Sequence, residues 1–243
     1  MKKVSALAVS LIFVLSVFSC TKSNKTIIRM QHFEEGVSNP NTIEEYEEAI
    51  KKYEERVADI QLAQAQIGIW HKIVGSRYLD KKMYGEALKS FQEALLYYPD
   101  NQNLYYYVGV CAGYMSHTAL DYDATGNTTK KMNYLKLAED AYKRAIDIEP
   151  RYARALFGLA VLYDMELAEP ELAIPYLETL LTIETKNIDG LVLLARCYYE
   201  TYEFDKAAAM YDRIIETTNN KTRKEQAQKL KEQVLEAKEI YAE

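Results

Sequence analysis

Between residues 68 and 219 the apolar positions recur at spacings of three and four, which places their side chains on one face of a helix. The clearest stretch holds Gly75 and Tyr78 three apart, then Ala87, Phe91 and Ala94 at four and three, with Pro99 closing the unit. Gly85, set among polar residues, reads as the turn between two helices. The pattern predicts a helix, a short turn and a second helix whose small and large apolar residues interlock.

The unit recurs. Val74-Gly75 returns 34 residues later as Val108-Gly109, inside Tyr105-x-x-Val108-Gly109. Leu156, Leu159, Ala160 and Tyr163 open a third unit, completed by Ala173, Leu177 and Leu180. Leu191, Leu194, Ala195 and Tyr198 open a fourth, completed by Ala207, Tyr211 and Ile214. A helical pair of 34 residues with this order of small, aromatic and proline positions resembles the tetratricopeptide repeat. The resemblance implies an all-α, right-handed superhelix with four repeats over 68–219, divided at about 68–101, 102–152, 153–187 and 188–219. Pro99 and Pro150 are 51 residues apart, so the second repeat carries about 17 extra residues, expected as an insertion at 116–133. The third has one extra residue in its turn, near Pro170 and Pro175; Pro175 falls in the first turns of a helix, where proline is tolerated.

The flanks differ in character. Thr42 and Glu45 form a capping-box pattern ahead of a helix with Tyr46, Ala49, Ile50, Tyr53 and Val57 on one face. Residues 42–66 are therefore expected to be an N-terminal capping helix, similar to the second half of a repeat. Residues 221–243 carry Ala227, Leu230, Val234 and Tyr241 on a narrow stripe in a charged helix, the polar cap that stacked repeats need. At the start, Met1-Lys2-Lys3, an apolar run from Val4 and a small-residue end at Ser19 form a secretory signal over 1–19. Cys20 at its end resembles a bacterial lipoprotein site, which implies acylation of that cysteine and a lipid-anchored tether over 20–41. Val17 and Phe18 depart from the usual lipoprotein pattern. Plain cleavage would instead leave Cys20 a free thiol, and an uncleaved anchor would need a longer apolar run.

Nine glycines and five prolines among 243 residues leave room for long helices, and 21 tyrosines suit slots that want an aromatic body with a polar tip. The formal charge is −6, or −8 once Lys2 and Lys3 leave with the signal. No basic stripe interrupts it, so nucleic acid is not an expected partner.

Few residues suggest chemistry. Cys111 and Cys197 hold matching offsets in repeats two and four, too far apart for a disulfide, and are expected to be small buried apolar residues. His32, His71 and His117 lack ligand spacing, so no metal site and no cofactor are expected. Asp121-Tyr122-Asp123-Ala124-Thr125-Gly126 resembles the start of a calcium loop, but Met132 stands where the bidentate glutamate belongs. It also resembles the nucleophile motif of haloacid dehalogenase-like phosphatases, which needs a parallel sheet that repeat helices do not provide. A capped surface turn is the expectation. No phosphate loop, nucleophile elbow or zinc helix is present, so the protein is not expected to be an enzyme.

In the tetratricopeptide family the first helices of the repeats line a concave face that binds extended peptides or partner helices. Helical offset places sixteen residues there: Ile69, Lys72, Ser76 and Leu79; Asn103, Tyr106, Val110 and Gly113; Arg154, Phe157, Val161 and Asp164; Asp189, Val192, Arg196 and Tyr199. Eight are apolar or aromatic, more than a solvated face needs. Groove binding is expected from Lys72, Tyr106, Arg154, Phe157, Arg196 and Tyr199. Some members clamp a terminal carboxylate; Lys72 and Arg154 match that pattern, while Ser76, Tyr107 and Gly158 do not. The resulting expectation is a non-catalytic, membrane-anchored scaffold at the bacterial cell envelope, facing the periplasm or the exterior and binding a protein or peptide partner. The alternative is a carrier for a small apolar ligand beside a transport system. A closed cavity around Tyr106 and Phe157 would favour the carrier, and an open groove the scaffold.

Overall fold

In the computed structural model, residues 40–119 and 129–242 are described. The leader, Cys20, most of the tether, His32 and the Asp121 loop fall outside them. The described residues are helical: α1 Ile43–Asp80, α2 Tyr84–Leu95, α3 Gln102–Thr118, α4 Thr129–Ile148, α5 Ala153–Val161, α6 Pro170–Ile183, α7 Ile188–Glu200, α8 Phe204–Thr217 and α9 Lys221–Ala242. A wider π turn, Leu162–Leu167, continues α5. The described residues divide into two units between Ala63 and Gln64.

The capping box at the start of α1 is made in both directions. Thr42 Oγ1 accepts from the Glu45 amide at 3.2 Å, and Glu45 Oε2 accepts from the amides of Thr42 and Asn41. The helix then runs without a break through Ile67, where a cap ending at 66 and a repeat starting at 68 were expected. No proline lies within it, and a single glycine costs only about 1 kcal/mol in a helix, too little to end one of 38 residues.

The unit of residues 64–243 is an all-α repeat superhelix in which successive helices pack antiparallel on their neighbours. Each first helix presents a small residue to an aromatic or leucine of a second helix. A Cβ added at Gly75 would lie 2.8 Å from the Phe91 ring, and one at Gly109 would lie 2.7 Å from Tyr142. Ala87, Phe91, Ala94, Leu104 and Val108 begin the core, and Leu156, Leu159, Ala173, Leu177, Leu191 and Ala207 carry it on, all buried. The tyrosines behave as their chemistry asks: Tyr163 and Tyr198 bury their rings and donate their hydroxyls to Glu139 and Glu178 at 2.9 and 2.6 Å.

The turns depart from the sequence reading. Gly85 is not the turn: it lies in α2, and the reversal is made at Lys82 with φ 59°. Ala168 and Tyr202 take the same left-handed conformation in the third and fourth repeats. In each case the next amide reaches back to a tyrosine carbonyl: Met83 to Tyr78, Glu169 to Tyr163, Glu203 to Tyr198. These bonds close helix ends that would otherwise leave carbonyls unpaired.

Both length anomalies extend into helices. Of the insertion expected at 116–133, residues 116–118 belong to α3, which continues to Thr118, and 129–133 to α4, which already begins at Thr129. Ala138 is therefore the tenth residue of α4, whereas Ala87, Ala173 and Ala207 are each fourth in theirs. The extra residue of the third repeat widens one turn of helix into the π turn instead of lengthening the loop. One residue corresponds to about 100° of rotation, and it carries Asp164 off the concave face into burial. Pro170 opens α6 at its first position and Pro175 sits inside it.

Cys111 and Cys197 are free and buried, as expected of small apolar residues, and burial pushes each thiol up to about 12. On α9, Ala227 and Val234 are buried, but Leu230 and Tyr241 are exposed, so the packed stripe is narrower than expected. Lys231 and Lys238 fasten this helix to Asp212 and Asp205 of α8.

Candidate functional site

One concavity lies between α3, α4 and α5. Tyr142 of α4 forms its back wall, resting on Gly109 of α3 and Gly158 of α5. Tyr106 of α3 stands beside it, 6.1 Å away between ring centres, with Tyr152 edge-on at 5.8 Å and Tyr107 at 5.3 Å. Phe157 of α5 faces the same space. Val110, Gly113 and Val161 complete an apolar floor, and a Cβ at Gly113 would meet nothing within 4 Å. Tyr114 borders it, its ring stacked on Tyr84 at 4.3 Å. The cleft measures about 340 Å³ and opens to solvent.

Its electrostatics are sparse. Across its seventeen residues α3 contains no Asp, Glu, Lys or Arg. Charge enters at the rim, where Glu166, carried by the π turn, pairs with His117 at 3.1 Å and Lys131 at 3.7 Å. Burial pushes the Tyr106 hydroxyl up, against a smaller opposing pull from Arg154.

Of the six expected groove residues, only Tyr106 and Phe157 line this cleft, with Arg154 beside Tyr106 and Tyr152. Arg196 is tied to its own chain, with Nε 2.8 Å from Glu200 and 3.5 Å from Asp164 Oδ2. Tyr199 belongs to a separate aromatic cluster with Phe204, Tyr202 and Tyr241, which lines a second cleft of about 540 Å³. Lys72 is exposed on α1 and lines neither. The carboxylate-clamp positions serve the protein's own packing: Tyr107 stacks on Phe91 at 4.9 Å, and Gly158 lies under Tyr142.

Glu166, Tyr114 and His117 escaped the sequence reading. Glu166 reaches the rim only because of the π turn, which no residue type announces. His117 sat in what looked like an insertion. Asp164 was placed on the groove, yet its side chain is fully buried and its Oδ2 has no hydrogen-bond partner. Burial raises its carboxyl, against the nearby Arg196. Among the described residues no group of three or more His, Cys, Asp or Glu is placed to hold a metal ion.

Small first-helix residues set against second-helix aromatics, repeated through stacked helical pairs, decide the fold. This is the tetratricopeptide-repeat fold. Residues 164–234 match the tetratricopeptide repeat family itself. The tetratricopeptide architecture is shared with a thermophilic TPR protein of Thermus thermophilus, at a TM-score of 0.54 and 19% identity over 79% of this chain and 92% of that one. It is shared with MamA at 0.53 and 18%, over 74% and 96%. MamA of Desulfovibrio magneticus RS-1, from residue 41 to its end, superposes at 0.51 and 13%, over 70% and 93%. At these identities the likeness is one of fold. No curated protein matches the chain.

Proposed function

We propose that this protein is a non-catalytic, membrane-anchored scaffold of the bacterial cell envelope that binds a protein or peptide partner in the cleft around Tyr106 and Phe157. The observation carrying this reading is the convergence of those two side chains, from successive first helices, on one open, apolar cleft. Aromatic anchors in a partly formed pocket are the usual centres of protein recognition. An open mouth suits a side chain that arrives on a longer partner, whereas small-ligand sites bury about 70–90% or more of their ligand. Anchoring rests on the Lys2-Lys3 head, the apolar run and Cys20, since no helix among the described residues is long and apolar enough to cross a membrane.

A photo-crosslinking p-benzoylphenylalanine placed at Tyr106 or Phe157 in living cells tests the cleft. A discrete protein adduct at both sites, and none with the probe at exposed Asp147 of α4, is the expected result. An adduct to a lipid or small molecule, or none, would overturn the scaffold in favour of the carrier or of neither. Acyl labelling of the wild type and Cys20→Ala tests the anchor: label that survives the substitution removes Cys20 from the account.

A further inference from the structure

The first twenty residues of α1 form a helix whose large apolar side chains face outward. Ile43, Tyr46, Ile50, Tyr53, Val57 and Ile60 follow one another at three, four, three, four and three residues, and they are 40–74% exposed. That alternation is a 3.5-residue period, the a and d positions of nearly three heptads. A helix packed into a globular core shows a wider stripe, of about 100° or more. A strict a/d seam is the narrower pattern of one helix paired along its length with another. A lone helix of this length is marginal in water, and a bare row of this kind adds an exposed patch to it.

We infer that this stretch of α1 is a dimerisation seam, and that it pairs in parallel, in register, with the same stretch of a second copy of this chain. Two features select that occupant and direction. The a positions are Ile43, Ile50 and Val57, all β-branched as at the a layers of parallel two-stranded coils, with Tyr46, Tyr53 and Ile60 at d. The flanking charges agree. With Ile43 as a, the e positions are Glu47, Glu54 and Gln61, and the g positions include Ala49 and Arg56. Parallel pairing sets each g residue against the next e residue of the other chain, so Ala49 meets Glu54 and Arg56 meets Gln61, with no like charges opposed. Antiparallel pairing, which matches Ile50 with Tyr53, brings e to e and sets Glu47 against Glu54 twice. Like charges in such positions steer partner choice and orientation. The seam shares no residue with the Tyr106 cleft, so either could fail without the other.

Sedimentation equilibrium of the full chain in detergent, in a Cys20→Ser background, is the direct test. The expected species is a dimer, twice the 28.0 kDa chain. Ile50→Lys places two like charges at one a layer and is expected to weaken dimerisation by about 100-fold or more. The melting temperature of the repeats should be unchanged, because Ile50 lies outside their core. In the same background Ile50→Cys should give a disulfide-linked dimer under mild oxidation, while Glu48→Cys on the outer face should not. A wild type that is monomeric at about 100 µM, or a dimer unaffected by Ile50→Lys, overturns the seam. A dimer that Ile50→Lys disrupts but Ile50→Cys fails to link overturns the parallel register.

Discussion

Tyr142 rests directly on the bare backbone of Gly158, so close that a Cβ there would sit 2.8 Å from its ring. Gly109 meets the same ring at 2.7 Å. One side chain of the second repeat thus sets the approach of two first helices and forms the back wall of the cleft they share. Fold and site depend here on the same atoms.

Gly109→Leu should therefore destabilise the protein by about 1–3 kcal/mol or more, since the obstacle is a buried ring that cannot swing away. Gly113, four residues on, has open space beyond it. Gly113→Ala should be neutral or gain up to about 1 kcal/mol from helix propensity. Chemical denaturation of both variants checks the contrast. Equal losses would mean that the Tyr142 contact does not set the helix spacing.

That glycine was legible in the sequence because close approach leaves no alternative residue. Ala87, Phe91, Leu156, Ala173 and Leu194 were legible for a related reason: a helix of about 3.6 residues per turn must bury one face. What could not be read was how the chain absorbs an irregular length. The extra residue before Pro170 could widen the turn or the helix with the same composition, and it widened the helix. That choice moved Asp164 inward and brought Glu166 to the rim. Lys82, Ala168 and Tyr202 hid the turns because a left-handed residue normally announces itself as glycine. At the cleft, periodicity placed Tyr106 and Phe157 together, but it could not separate Arg196 and Tyr199, which neighbouring side chains claim.

Asn101 and Asn187 precede the first helices of repeats two and four. Asn101 Oδ1 accepts from the amides of Asn103 and Leu104, and Asn187 Oδ1 accepts from Gly190 at 2.8 Å. Replacing either with Ala should cost about 1 kcal/mol, within a range of roughly 0.5–2. Thermal melts of the single variants measure it. The two sites are far apart in sequence and share no partner, so the losses should add.

Asp164 makes stability depend on pH in an unusual direction. Burial raises its carboxyl in the folded chain, so the unfolded chain loses this proton first as the pH climbs. Its contribution is then most favourable below about pH 4, the range of an unperturbed aspartate. It declines as the pH rises towards the raised folded value and is constant beyond it. Asp164→Asn removes the ionisation and should be at least as stable as the wild type at about pH 7, with the gap closing on acidification. A variant markedly less stable at neutral pH would show that the Arg196 attraction outweighs the burial.

The cleft itself yields the last prediction. Tyr106 and Phe157 are half-buried, so truncating them removes packing as well as any anchor for a partner. Gly113→Leu separates the two effects, because it fills the cleft from a position with open space and deletes no contact. All three variants should lose the adduct formed in cells by a probe at the remaining aromatic position. Truncating a buried anchor commonly costs about 2 kcal/mol or more of binding. Tyr106→Ala and Phe157→Ala should also melt at lower temperature, while Gly113→Leu should melt near the wild type. Lys72→Ala, on α1 and outside the cleft, should change neither. A Gly113→Leu protein that stays folded and keeps its adduct would move the binding surface elsewhere. The second aromatic cleft, where Tyr199 and Tyr202 meet Tyr241, would then be the surface to probe.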